Sequence, residues 1–411
     1  MNGPAIRRDL VKKPVRLAAV AAFPVFYQSP LYRMVAADPR VDLTVIFASS
    51  AGVRPHAAGF GEREVVWDVD MLSDYRHEFL EGADTNDVAG GFFALRGRDA
   101  FGRVRRGSFD AVWVHGYSYL SLCMAIAGAA AARTPVLVRE EQTLLHPRPQ
   151  PKRWIRAAIL RVLFARARGL YIGTRNREFF ERFGVRDDHL FFTPYCVDND
   201  EFQRRARELK PKRADLRRRL GLPPDPVPVI AFVGKLTDKK QPLVLLDAYA
   251  RVRRELPCAL LFVGDGDLAA QVRARVAELA VPDVCFAGFL NRSEIAEAYA
   301  VADTFVLPSA YHETWGLVVN EAMNFSLPIV VSDKVGCALD LVREGENGHI
   351  VPAGDVAALA AALRGLVADS ARREAYGRRS FELISSWHYA VAAEGIVTAA
   401  IDAARGQNPG G

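Results

Sequence analysis

The stretch TFVLPSAYHETWGLVVNEAMNFSLPIVVSD, residues 304–333, decides the fold. It opens and closes on short apolar runs, TFVLPS and PIVVSD, and the segment from about Trp315 between them reads as a helix. The runs are apolar throughout rather than alternating, the pattern of parallel strands covered by helices on both faces. The same rhythm extends outward in both directions. In the second half the runs are PVIAFVGKL, ALLFVGDG, VCFAGF and GHIVPAG, with helices predicted over Pro242–Leu256 and Asp267–Leu279. In the first half they are VRLAAVAAF, DLTVIFAS, AVWVHG, PVLVRE, LYIGT and LFFTPY. Such alternation predicts an α/β protein with parallel, doubly wound sheets.

The rhythm breaks near residues 200–227. There the charged run EFQRRARELKPKRADLRRRL leads into GLPPDPVP, with four prolines between Pro223 and Pro228. A proline-dense segment suits a domain boundary. The chain therefore divides into two Rossmann-like, doubly wound domains facing a central cleft. The first spans 1–205 and the second 206–385, and a last helix in 386–411 is expected to cross back to the first. A length of 411 residues suits two domains of ordinary size.

Five scattered cysteines with no C-x-x-C pair suggest neither a zinc site nor a redox dithiol, and idle thiols fit a cytoplasmic protein. Charge is unevenly spread. Arg96–Arg219 carries 27 Lys/Arg against 13 Asp/Glu, a balance of +14, so the rest of this +6 chain carries −8. Solvated faces explain part of this, for example at Arg103, Arg105 and Arg106 or at Arg217, Arg218 and Arg219. The other reading is a basic surface, including Lys152, Arg153, Arg156 and Arg161, that meets an anionic membrane leaflet or an acidic acceptor. Nucleic acid is not expected, because no groove-reading or aromatic-interleaved motif accompanies the charge. Arg7, Arg8, Lys12, Lys13 and Arg16 precede LAAVAAFPVF, which reads as a first buried strand rather than a signal peptide. The uncharged stretch Ala111–Ala132 is broken at Gly116, short of the ~20 apolar residues that a bilayer requires.

Glu313 and Glu321 flank Gly316 where the strand TFVLPS gives way to a helix. A helix start at the carboxyl end of a parallel strand is where such folds bind phosphate. The N–H groups of Gly316, Leu317 and Val318 are then available to a diphosphate. Glu313 stands in the turn, suited to sugar hydroxyls, and Glu321 lies about 12 Å further along a helical rise, suited to ribose. Lys235, Lys239 and Lys240 follow another strand end, where cations neutralise a diphosphate leaving group. Two rival readings rest on weaker patterns. GDGDLA, from Gly264, fits a dinucleotide fingerprint, but Asp283 precedes the next strand instead of following it. D-x-D spacing, a mark of metal-dependent transferases, occurs at Asp68/Asp70, Asp198/Asp200 and Asp265/Asp267.

Together, G-[RK]-L…K, F-V-G-D-G, F-x-G-F, A-D-x-F-V-L-P-S…E-x7-E and V-x-x-G-x-N-G resemble the family-4 glycosyltransferases. The match runs from about Val229 to Gly354, with a looser one through VWVHG, PVLVREEQ and TPYCVDNDEF. This resemblance implies the GT-B fold and a retaining, metal-independent transfer of a hexose-type sugar. No cofactor is implied; the donor substrate is a nucleotide-sugar, with UDP- or GDP-sugars expected, and the acceptor is a glycan, a lipid-linked glycan or a small molecule. It assigns Lys235 and Lys240 to the phosphates, Glu313 to the sugar, Glu321 to the ribose, and Gly288 and Phe289 to the nucleobase. Gly234, Trp315, Gly316, Leu317 and Val318 complete the donor site. His115 matches a first-domain histidine reaching toward sugar and acceptor.

The chain departs from the family pattern in three places. Lysine replaces the more usual arginine at 235 and so loses a bidentate fork. FPVFYQSPLYR, residues 23–33, stands where the family has a glycine-rich loop, and Ser326 replaces a common glycine. The alternative to a transferase is a sugar-nucleotide-binding protein without turnover.

Overall fold

The computed structural model describes residues 13–406, apart from 61, 62, 66, 85–90, 96, 98 and 146–149. Arg7, Arg8, Lys12 and Arg96, like residues 407–411 of the last expected segment, lie outside the described residues.

Two parallel sheets organise the chain. The first contains β1 (Val15–Ala21), β2 (Val41–Phe47), β5 (His77–Phe79), β6 (Ala111–His115), β7 (Val136–Arg139), β8 (Arg168–Tyr171) and β9 (Leu190–Phe192), in the order β5-β2-β1-β6-β7-β8-β9. The second contains β10 (Val229–Val233), β11 (Ala259–Val263), β12 (Val284–Gly288), β13 (Thr304–Leu307), β14 (Ile329–Ser332) and β15 (Gly348–Val351), in the order β12-β11-β10-β13-β14-β15. The strand order reverses between β1 and β6 in one sheet and between β10 and β13 in the other. At such switch points the flanking connections leave on opposite faces, opening a crevice at the carboxyl ends of the strands.

The apolar runs become strands because both faces are covered. In the first sheet, Ala19, Val45 and Trp113 pack with α1 (Ser29–Ala36) and α15 (Tyr389–Arg405) on one side. On the other, Val20, Ile46 and Val112 pack with α2 (Ala100–Arg106) and α3 (Leu120–Ala131). In the second sheet, Phe232, Leu260 and Phe262 pack with α8 (Pro242–Arg253) and α13 (Val356–Ala368), and all three strand residues are wholly buried. Each such side chain contributes roughly 1.5–3 kcal/mol relative to exposure.

Three features differ from the sequence reading. β5 is a short edge strand of sequence HEF, too polar to show as an apolar run. β3 (His56–Phe60) and β4 (Arg63–Val65) form a separate antiparallel pair. The charged run before the prolines is two helices, α6 (Asn199–Leu209) and α7 (Arg213–Arg219), broken around Pro211, which has no N–H to continue the first. Phe202 and Leu209 of α6 share a core with residues of β10 and β13, and the expected division at 205/206 falls inside this helix. The closing helix α15 lies on the first sheet, where Ile396, Val397 and Ala400 are fully buried. The two halves also meet directly. Asn320 Nδ2 donates to the Tyr195 carbonyl at 3.1 Å, and Thr174 Oγ1 donates to Asp340 Oδ1 at 2.6 Å.

Candidate active site between the two sheets

At the switch point of the second sheet, the loops after β10 and β11 lie against each other. A Cβ on Gly264 would sit 2.1 Å from the Gly234 carbonyl oxygen, and Gly264 has φ +121, so only glycine fits. This contact draws the β10 loop inward and places its lysines beside the loop after β13. There Lys240 Nζ pairs with Glu313 Oε2 at 2.5 Å, with Lys239 Nζ at 3.9 Å from the same oxygen. Ser309 Oγ also donates to Glu313 Oε2, at 2.9 Å. Burial alone would raise the Glu313 carboxyl, but Lys240 and Lys239 overcome it and hold the pKa below the ordinary value. Lys235 stands close enough to feel both other ammoniums. Its pKa is lowered by burial and then by Lys239 and Lys240. Glu313 pairs with Lys239 and Lys240, and Asp267 and Glu141 act on Lys235 and Lys239 from further off, so the three ammoniums crowd one edge of the site.

Gly316 turns the chain into α11 (Leu317–Met323) with φ +103, and a Cβ there would lie 3.0 Å from Leu307 Cδ2. The turn carries Glu313 to one end of a cleft and Glu321 to the other. Of the residues picked out in the sequence, the cleft of about 200 Å³ is lined by Gly234, Lys240, Phe289, Glu313, Gly316, Leu317, Val318 and Glu321. Gly288 lies just behind Phe289 and turns the chain at φ +70. Lys235 is half-buried at the back of the lysine cluster and does not line the cleft. Trp315 points elsewhere. Its indole is 3% exposed, donates from Nε1 to Asn320 at 2.9 Å and packs on Trp387 at 5.2 Å between ring centres. It therefore joins the second domain to the crossing segment before α15.

His115 is not in this cleft. It ends β6 at the first sheet's switch point and lines a separate cavity of about 450 Å³, which shares Tyr27 with the cleft. Its Nε2 lies 2.9 Å from Tyr32 Oη, while Tyr32 donates to Gln28 Oε1 at 3.1 Å. Burial and then Arg139 push its pKa well below the ordinary histidine value, which keeps the ring neutral.

The rest of the cleft wall is not marked by any local pattern. Arg292 Nη1 donates to Glu321 Oε1 at 2.6 Å, and Tyr299 Oη donates to Glu321 Oε2 at 2.6 Å. The Arg292 guanidinium lies over the Phe26 ring at 4.5 Å and the Phe202 ring at 5.1 Å. Phe26 and Trp67 meet at a tilt with ring centres 4.8 Å apart, and Trp67 reaches Phe289 at 6.3 Å. The segment that stands in place of a glycine-rich loop thus contributes aromatic rings to the wall. Two of the D-x-D aspartates act locally, Asp198 capping α6 and Asp265 accepting from the Gly266 N–H at 2.8 Å, whereas Asp68 accepts from Ser293 of the second domain. Asp283, weighed for a dinucleotide site, pairs with Arg253 at 2.8 Å.

Comparison with known proteins fits this arrangement. The family described as "Glycosyl transferases group 1" matches residues 213–382. Phosphatidyl-myo-inositol mannosyltransferase of Mycobacterium leprae is 35% identical over 173 residues, 41% of this chain and 45% of that protein. The chain thus spans less than half of that relative's length. D-inositol 3-phosphate glycosyltransferase of Xylanimonas cellulosilytica is 29% identical over 329 residues, 76% of this chain and 78% of that protein. Among solved structures, a glycosyltransferase from Rickettsia africae superposes with a TM-score of 0.71 at 13% identity, covering 95% of this chain and 98% of its own. Anabaena Alr3699/HepE, solved in complex with UDP, gives a TM-score of 0.69 at 16% identity, over 94% of this chain and all of its own. These likenesses and the two facing parallel sheets lead to one assignment: the chain has the α/β GT-B fold, and its residues 213–382 match the group 1 glycosyl transferases.

Proposed function

We propose that the protein moves a hexose-type sugar from a nucleotide-sugar, of the UDP or GDP kind, to an acceptor hydroxyl on a glycan, a glycolipid or a small molecule. The observation that carries this is the convergence of Lys240, Glu313, Gly316 and Glu321 on one cleft at the switch point of the second sheet. A diphosphate is the anion that a cluster of three lysines at a strand's carboxyl end suits. UDP is bound by the structural neighbour HepE, which supports the nucleotide half of this reading.

The resemblance to retaining enzymes favours attack from the face that the leaving group occupies. The acceptor oxygen bonds to the anomeric carbon as the bond from that carbon to the diphosphate oxygen breaks. The acceptor proton passes to the departing phosphate, whose charge Lys240 stabilises from the cleft wall, with Lys235 adding its field from outside the cleft. Glu313 holds sugar hydroxyls in this scheme and Glu321 the ribose. Metal is not required, because the lysines carry the countercharge.

We also place the protein at the cytoplasmic face of a membrane. Among the described residues no helix is long and apolar enough to cross one. However, α4 (Gln150–Phe164) exposes Trp154, Ile159 and Val162 on a helix that also carries four basic residues, 152, 153, 156 and 161. An apolar face with flanking cations suits an anionic leaflet. The side chains of Lys152 and Arg153 lie outside the described residues.

Anomeric-proton NMR during turnover of UDP- and GDP-sugars in excess chelator tests the chemistry. A product of unchanged anomeric configuration at full rate supports it. An inverted product overturns retention, and activity lost to chelator overturns metal independence. Nucleotide binding without turnover on any acceptor would identify a sugar-nucleotide-binding protein instead.

A further inference from the structure

The first domain sends two aromatic rings into a cleft whose other residues belong to the second. Trp67 and Phe289 both line it and are both half-buried, with ring centres 6.3 Å apart and planes tilted by 49°. Phe26 backs Trp67 at 4.8 Å and carries the Arg292 guanidinium at 4.5 Å. Arg292 is three residues beyond Phe289 and is bonded to Glu321, so these rings stand at the Glu321 end of the cleft, away from Lys240. Of the chain's five tryptophans, all among the described residues, only Trp67 lines the cleft.

Trp67 is held in place from both sides. Next to it, Asp68 Oδ2 accepts from the Ser293 N–H at 3.3 Å and from the Ser293 hydroxyl, which ties the segment to the second domain. Two residues on, the Asp70 carbonyl accepts from Arg33 Nη2 at 2.8 Å, which ties it to α1 of the first. Residues 67–70 are thus a strap across the two halves. Among the described residues Trp67 joins none of the hydrophobic cores. An indole placed in a cleft and not in a core has a face to give to a ligand.

The spacing says what kind of ligand. A flat ring touches a ring on each side when both gaps are about 3.5–4 Å, so a three-layer stack needs about 7 Å between its outer members. Trp67 and Phe289 are near that separation but tilted, and a withdrawal of the strap by about 1 Å with rotation of the indole would admit one flat ring. In a nucleotide-sugar the flat ring is the base, which lies beyond the ribose as seen from the diphosphate.

We propose that Trp67 forms the second face of the nucleobase site, so that the donor's base stacks between Trp67 of the first domain and Phe289 of the second. This rests on the nucleotide-sugar reading and adds to it a binding residue from outside the segment that matches the group 1 glycosyl transferases. Stacking is tolerant of base identity, because every base has a π-face. The strap makes donor affinity depend on the two domains being together, since the stack is complete only when they meet.

Calorimetric titration of UDP, GDP and inorganic pyrophosphate into the wild type, Trp67→Ala and Trp67→Phe, with tryptophan fluorescence read on the same samples, tests this. Pyrophosphate carries the charge without a base. Trp67→Ala is expected to weaken whichever nucleotide binds by at least about five-fold and to leave pyrophosphate unchanged. Trp67→Phe keeps a ring and should retain most of the affinity, while the fluorescence quenching that the nucleotide causes in the wild type largely disappears. Nucleotide binding in Trp67→Ala as tight as in the wild type would overturn the proposal. Tighter binding would do so too, since the indole would then be filling the place of the base. An equal loss for pyrophosphate would show that the residue acts on the fold alone and would also overturn it. If Trp67→Ala does not fold, the quenching in Trp67→Phe decides: unchanged quenching contradicts the stack. Failure of both nucleotides to bind the wild type would instead count against the nucleotide-sugar reading.

Discussion

Arg292 donates from Nη1 to Oε1 of Glu321 at 2.6 Å, an ion pair whose side chains are 18% and 5% exposed. The pair joins the loop after β12 to α11. Because Arg292 also lies over Phe26 of the first domain, it holds the two halves together at the end of the cleft assigned to ribose. A donor that uses Glu321 has to share the carboxylate with this arginine or displace it.

Removing one partner of a buried pair leaves an uncompensated charge, a loss of about 3–5 kcal/mol. Glu321→Ala is expected at the lower end, about 3 kcal/mol, because Arg292 keeps some solvent. Urea unfolding of the variant checks this, and an unchanged midpoint would mean that the pair does not form in solution.

His115 gives the protein an acid-side sensitivity. Its folded pKa lies well below 6.5, the unfolded value, so the ring is neutral when folded and takes up a proton on unfolding in acid. The stability is present above 6.5 and is lost as pH falls from there toward the folded pKa. One unit below the unfolded value the loss is at most about 1.4 kcal/mol. His115→Gln should remove that part of the slope between pH values of about 7.5 and 5.5, read from urea unfolding. Identical slopes in the two proteins would contradict it.

Arg217 fixes the proline-rich linker. It is 1% exposed, and it donates to the carbonyls of Pro223 at 3.2 Å and Val227 at 3.0 Å and to Asp303 at 2.8 Å. Arg217→Ala should cost about 3–5 kcal/mol, since it leaves several buried acceptors unpaired. In a domain of this size that corresponds to roughly a 10 °C fall in melting temperature. A fall of only a degree or two would show that the linker is held by other means.

The strands were legible wherever both faces are buried, since VIAFV and ALLFV can be little else between glycine turns. The edge strand HEF was not, because a sheet margin tolerates polar residues. The helix break at Pro211 could have been read from proline alone; the long run of charge hid it. In the site, Glu313, Gly316 and Glu321 are set by one strand, one turn and one helix, and local sequence records such geometry. Arg292 lies 29 residues from Glu321, while Phe26 and Trp67 arrive from the other domain. No spacing encodes a contact of that kind. Trp315 shows the opposite limit: its neighbour Gly316 lines the cleft, yet its own indole faces Trp387.

The lysine cluster at the end of β10 is proposed to hold a nucleoside diphosphate. Calorimetric titration of UDP, GDP, ADP and dTDP into the wild type and into Lys240→Ala tests it most directly. At least one nucleotide should bind, and Lys240→Ala should weaken it at least ten-fold, about 1.4 kcal/mol. A wild type that binds none of the four, or a Lys240→Ala protein that binds as tightly as the wild type, would contradict it.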